Sequence, residues 1–464
     1  MKYQNSWDSA TDQLRRPIVK YHNPREEDLQ IGQNHPLNYV GRKPPSPIKA
    51  RSSEFSVLCL APSGNFDAPY FHRANAFISA LSTDPLSQII EIGPPRRLRD
   101  LFHPVTRLRN PDRIKVVSLF WVNIPEIARI DTFVFAMVRA IFLNVWAGSI
   151  ARLFLRGRRF KSLLFYSPQF AFFRLFLRPR RDTVTIYDKA DAYSLFYKGA
   201  VRKAIAFLDE YNTTHADIVF SPSPQLEALA RRQGAKRTSR VDNGIYSHNF
   251  SPGSKRDKML AVYVGNLVHD MWGVDLFLEA IPHVVRDFPD FHAAVIGEGP
   301  LKAEYELLCN RLGITNHTKF EGFVPHEKIG HVICTARVAV APYKRFEGFG
   351  FASRSLKISE YLASGTPVVV TNVGSFADLI EKTRLGFVVE PTSEKIAEGI
   401  TSVLRLTDDE WEAMSQRAAS TAQEYDWDTI LSKAFDEIEK IRVQISSAHG
   451  QSREIGNNEP RIEG

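Results

Sequence analysis

Between Phe346 and Pro367 the chain passes from a glycine-rich turn, Phe346-Glu-Gly-Phe-Gly-Phe-Ala-Ser-Arg-Ser355, through a helical stretch to Gly365, and then into Val368-Val369-Val370. Few folds accommodate that order. Glycine ends a helix because it accepts the left-handed conformation, and a β-branched run of this kind is a buried strand. Turn, helix and buried strand in succession fit an α/β layer built on a parallel sheet. The turn leaves backbone N–H groups free at the helix start, where Lys357 lies, so that end suits a diphosphate. Glu360, three residues on and on the same face, suits the paired hydroxyls of a ribose.

The same alternation runs along most of the 464 residues, enough for two domains. A first series of strands is expected at 55–61, 114–120, 162–166, 183–187, 218–221 and 239–241, with a helix over about 70–81. A second is expected at 260–264, 293–296, 318–320, 338–341, 367–371 and 386–389. The expected organisation is a disordered basic, proline-rich tail (1–53), a first α/β domain (54–250), a polar linker (251–258) and a second domain (259–425). A helix over 426–445 and a disordered tail over 446–464 close the chain. Two such domains leave a cleft at the carboxyl ends of their strands.

Three cysteines far apart in sequence, Cys59, Cys309 and Cys334, match no metal or redox spacing and suit a reducing compartment. The net charge of +8 is concentrated: residues 91–181 hold 18 Arg and Lys against 5 Asp and Glu. There the cations, Arg139, Arg156, Arg158 and Arg159 among them, are interleaved with Phe, Leu, Ile and Trp. Arg139 interrupts the apolar run 130–146, which argues against a transmembrane helix. Two readings stay open: a helix lying in an anionic membrane surface, or a buried helix with a solvated basic end. No nucleic-acid-binding motif accompanies the charge.

Several segments in order resemble the GT-B glycosyltransferases, especially family 4. Tyr263-Val-Gly-Asn-Leu resembles the first strand and glycine turn of their donor domain, and Val295-Ile-Gly-Glu-Gly-Pro the next strand and turn. Phe320-Glu-Gly-Phe-Val-Pro is similar to the segment whose backbone meets the nucleotide base, and Ser355-Leu-Lys-Ile-Ser-Glu-Tyr to the diphosphate and ribose segment. Asn243-Gly-Ile-Tyr resembles the end of the first domain. Tyr187-Asp-Lys-Ala-Asp191 resembles an element of a bacterial polysaccharide branch.

The resemblance implies two Rossmann-like domains facing a cleft, with the last helix crossing back to the first domain. It implies transfer of a sugar from a nucleotide-sugar donor, UDP- or GDP-linked, to a lipid-linked or saccharide acceptor, without metal or cofactor. The cytoplasmic face of a membrane is the expected location. An epimerase of the same fold, or an inactive nucleotide-sugar-binding scaffold, is the alternative. Donor contacts are expected from Gly265, Asn266, Phe323, Val324, Arg354, Ser355, Lys357 and Glu360.

Where many family members place basic residues facing the diphosphate, this chain has Asn266 and Trp272. Each missing charge is worth about 1–3 kcal/mol when buried. Arg354 and Lys357 are the expected compensation, with Lys344 or Arg345 as further sources. Candidates for the catalytic role are Asp188 and Asp191, each either a base or a turn-forming residue, together with His72 and Glu347. Glu347 is either a sugar contact or a solvated loop charge, and His72 either an acceptor contact or a structural helix start. Arg73, at the same helix start, is grouped with the acceptor or membrane contacts. Asp426 and Asp428 read as helix-capping residues.

Overall fold

Short β-branched and aromatic runs form two sheets in a computed structural model. It describes residues 57–62, 73–81, 87–93, 105–107, 113–117, 133–155, 160–177, 183–253, 256–345, 355–374 and 376–457. The first sheet holds β1 (Val57–Pro62), β2 (Gln88–Gly93), β3 (Val105–Arg107), β4 (Arg113–Val117), β5 (Ser162–Tyr166), β6 (Val184–Asp188), β7 (Ile218–Ser221) and β8 (Thr238–Arg240). Their spatial order is β3-β4-β2-β1-β5-β6-β7-β8. All pairs are parallel except β3 with β4 at the edge.

The second sheet holds β9 (Asp257–Val264), β10 (His292–Ile296), β11 (Thr318–Gly322), β12 (Ala336–Ala341), β13 (Val368–Thr371) and β14 (Gly386–Val389). It is wholly parallel, in the order β11-β10-β9-β12-β13-β14. Its central strands β12 and β13 are buried on both faces because helices cover both. Val338 and Val340 join a core with the Val274–Asp287 and Ser393–Leu404 helices, whereas Ala339 and Ala341 join one with Ile358, Tyr361 and Leu362. The strand order reverses between β9 and β12, and a parallel sheet offers its ligand crevice at the carboxyl ends beside such a reversal.

The closing helix, Trp427–Asn457, leaves the second domain and packs on the first. Trp427, Leu431, Phe435, Ile438 and Ile441 share one core with Phe77, Tyr166, Phe220 and Val241. Phe435 meets Phe77 edge-on at 6.1 Å. Its start is fastened to the end of the first domain: Ile245 N donates to Tyr425 O at 2.9 Å, and Trp427 N to Ile245 O at 2.8 Å. Asp426 caps it, accepting from Asp428 N at 2.9 Å and from the Ser247 hydroxyl at 2.6 Å.

Some expectations need correction. Strands β2 and β3 were not anticipated, and the strand expected over 114–120 ends at Val117 within the described residues. β9 begins at Asp257, inside the expected linker. The closing helix continues twelve residues past 445 to Asn457, into the stretch expected to be disordered. The tail over 1–53 lies outside the described residues.

Candidate active site

Gly265 follows β9, and a side chain there would collide with Lys357: a Cβ would sit 2.6 Å from its Nζ. The next strand's turn closes on the same glycine. Gly297 adopts φ +144°, and a Cβ there would lie 1.8 Å from Gly265 O. These contacts bring the glycine turns of β9 and β10 beside the start of the Leu356–Ala363 helix. Ser355 stands at its N-cap without a side-chain cap bond, its hydroxyl being paired with Tyr343 Oη at 2.5 Å. Among the described residues no side chain caps the leading N–H groups of the helix, and such groups suit an anion.

Lys357 occupies an aromatic enclosure. Its Nζ donates to Tyr263 Oη at 3.1 Å and lies 4.5 Å from that ring's centre, with Trp272 and Tyr343 each at 5.3 Å. It forms no ion pair among the described residues. Burial pushes its pKa from 10.5 down to about 7, partly offset by the Glu360 carboxylate. Burial also raises Tyr263 and Tyr343, so both remain neutral phenols at physiological pH. A cation held by ring faces and one neutral hydroxyl is poised for an external anion.

The two departures from the family pattern belong to one contact. Trp272 Nε1 donates to Asn266 Oδ1 at 2.9 Å, and Trp272 meets Tyr343 edge-on at 5.9 Å. Lys344 and Arg345 are both engaged by carboxylates. Lys344 is held by Asp270 at 2.7 Å and Asp275 at 2.5 Å; Arg345 binds Glu390 at 2.7 Å and Asn372 at 3.0 Å.

Glu360 lies one turn beyond Lys357, largely buried, with Oε1 2.8 Å from His326 Nε2. Tyr361, its neighbour, accepts from Val264 N at 2.8 Å and ties this helix to the end of β9. Phe323 is 47% exposed just after β11, whereas Val324 packs into the domain core.

In the first domain Arg73 is buried, not placed at a membrane or acceptor surface as expected. Its guanidinium grips Asp188 through Nε at 2.8 Å and Nη2 at 2.8 Å, and donates to Asp242 O at 2.9 Å. With its side chain 0% exposed, Asp188 fits the pairing role and not that of a base meeting a hydroxyl. Asp191 differs. It makes no hydrogen bond or ion pair with a described residue, and burial raises its pKa to about 7, with Arg73 opposing and Asp188 adding.

His72, Glu347, Arg354, Arg156, Arg158 and Arg159 lie outside the described residues, as does the side chain of Arg139. Among the described residues no group of three or more His, Cys, Asp or Glu side chains is placed to hold a metal ion. Sequence reasoning missed Tyr263, Tyr343 and His326. Tyr263 and Tyr343 stand at the carboxyl ends of β9 and β12, where a pocket-lining aromatic could have been sought.

Residues 247–421 match the family described as glycosyl transferases group 1. These residues form a group 1 glycosyltransferase domain. Alpha-D-kanosaminyltransferase of Streptomyces kanamyceticus is 30% identical over 192 residues, 41% of this chain and 46% of that protein. Phosphatidyl-myo-inositol mannosyltransferase of Mycobacterium leprae is 26% identical over 218 residues, 45% and 56% of the two chains. The chain thus spans about half the length of the curated relatives it matches. The Anabaena protein HepE, solved with UDP, superposes with a TM-score of 0.61 at 15% identity, covering 83% of this chain and 99% of that one. The glycosyltransferase domain therefore sits within a GT-B architecture: two Rossmann-like domains about a cleft, with the last helix crossing back.

Proposed function

We propose that this glycosyltransferase moves a sugar from a UDP- or GDP-linked donor to a hydroxyl of a saccharide or lipid-linked acceptor, using no resident cofactor. The observation that carries this reading is Lys357, caged by aromatic rings with no ion pair to a described residue, at a helix start one turn from Glu360. In the transfer, the C1–O bond to the diphosphate breaks and its electron pair leaves on the diphosphate oxygen. Lys357 and the helix N–H groups stabilise that charge. The acceptor oxygen bonds to C1 and gives up its proton, for which Asp191 is the candidate base. Glu360 holds the ribose hydroxyls. The sugar and acceptor named for the relatives, and the UDP bound by HepE, support the substrate classes.

A lipid-linked acceptor is further supported by the Phe133–Phe154 helix. Val134, Val138, Ile141, Phe142 and Val145 recur on one helical face and are exposed, Val134 by 68%. Arg152, also exposed, lies at the last turn. This pattern suits a helix lying in an anionic interface. Among the described residues no helix is long and apolar enough to cross a membrane. The thiols of Cys309 and Cys334 fit a peripheral position on the cytoplasmic face.

The test is nucleotide release from UDP- and GDP-sugars, with and without saccharide and lipid acceptors. Release that requires an acceptor supports the assignment. Conversion of the donor alone points to an epimerase, and binding without turnover to a scaffold. For the membrane contact, Val138→Asp with Phe142→Asp should abolish co-sedimentation with phosphatidylglycerol vesicles; undiminished binding would refute it.

A further inference from the structure

We propose that His326 is a positioning residue for nucleoside recognition: its imidazole fixes one oxygen of Glu360 so that the other receives the adjacent hydroxyls of a ribose. The inference rests on the donor-site reading above and adds a residue to it. His326 opens the His326–Ile333 helix directly after Pro325. Its Nε2 lies 2.8 Å from Glu360 Oε1, with side chains 15% and 10% exposed. A carboxylate oxygen accepts, so in this pairing Nε2 is the donor. Oε2 of Glu360 has no hydrogen-bond partner among the described residues.

The imidazole is itself held in place. Phe250, in the segment leaving the first domain, meets its ring edge-on at 5.9 Å. The helix backbone presses on the same segment: a Cβ at Gly330 would lie 2.8 Å from Asn249 O and 3.0 Å from Phe250 Cδ1. A glutamate without such a partner samples several rotamers, and a ligand must then order it on binding. His326 removes that requirement and uses one carboxylate oxygen only.

Calorimetric titration of the full chain with UDP and GDP tests this, carrying the tighter one forward with its 2′,3′-dideoxy analogue. His326→Ala should weaken ribonucleotide binding about tenfold. His326→Gln, which keeps an N–H donor, should recover most of that loss. The dideoxy analogue should bind wild type and His326→Ala alike. Unchanged or tighter ribonucleotide binding by His326→Ala would overturn the proposal, as would equal losses for both ligands. Glu360→Ala separates the two readings. If it weakens binding while His326→Ala does not, only the role of His326 fails. If it too binds normally, or if wild type binds neither nucleotide, the donor-site reading fails.

Discussion

Raising the pH should release a donor nucleotide through one side chain. Burial holds Lys357 near 7 in the unliganded protein against an ordinary 10.5. A diphosphate at the helix start favours the ammonium, so the bound-state pKa lies higher. Below pH 7 Lys357 is charged whether or not ligand is present, and affinity is flat. Above pH 7 the free protein carries the neutral amine and binding must take up a proton, so affinity falls about tenfold per pH unit until the bound-state pKa is reached. From pH 7, where half of the free protein already carries the amine, to pH 9 the loss is about 50-fold for a bound-state pKa above that range. The facing phenols of Tyr263 and Tyr343 stay neutral in this window because burial raises both, and Trp272 does not titrate. Titrations in two buffers of different ionisation heat count the proton directly: uptake should approach one near pH 8.5 and vanish in Lys357→Met. Flat affinity from pH 7 to 9 with no proton uptake would refute the reasoning.

Asp191, raised to about 7, must be ionised to act as a base, so kcat/KM should rise through pH 7 on the acid side and fall above it as Lys357 loses its proton. Asp191→Asn should remove the acid limb with most of kcat; a retained limb would exclude it. Asp188→Asn leaves the buried Arg73 guanidinium without its counter-charge and should lower unfolding stability by about 3–5 kcal/mol in urea titration. Phe435→Ala should cost about 3–5 kcal/mol and loosen the first domain before the second, measured by hydrogen exchange.

Lys357 and Glu360 were legible because a glycine turn, a helix and a buried strand lie within one short stretch, where local rules apply. The second sheet was legible because Val368-Val369-Val370 and residues 338–341 are buried on both faces and read as unbroken apolar runs. β3 escaped because it is a three-residue edge strand pairing antiparallel, with little pattern to reveal it. The Asn266–Trp272 bond, the cage around Lys357 and the His326 contact to Glu360 join residues from separate elements, and the latter two span separations of 94 and 34 residues. No local propensity encodes such meetings. Asp188 and Arg73 show the converse: a charged pair that looks like surface chemistry in sequence is a buried clamp 115 residues apart.

The closing helix also sets a schedule for synthesis. Residues 57–241 supply most of the first core, yet Trp427, Phe435 and Ile441 complete it from about 200 positions later. At 5–20 residues per second, a ribosome needs about 10–40 s to deliver them. Throughout that wait Phe77, Tyr166 and Phe220 lack their cover, so a nascent chain halted near residue 300 should bind holdase chaperones that the finished protein ignores.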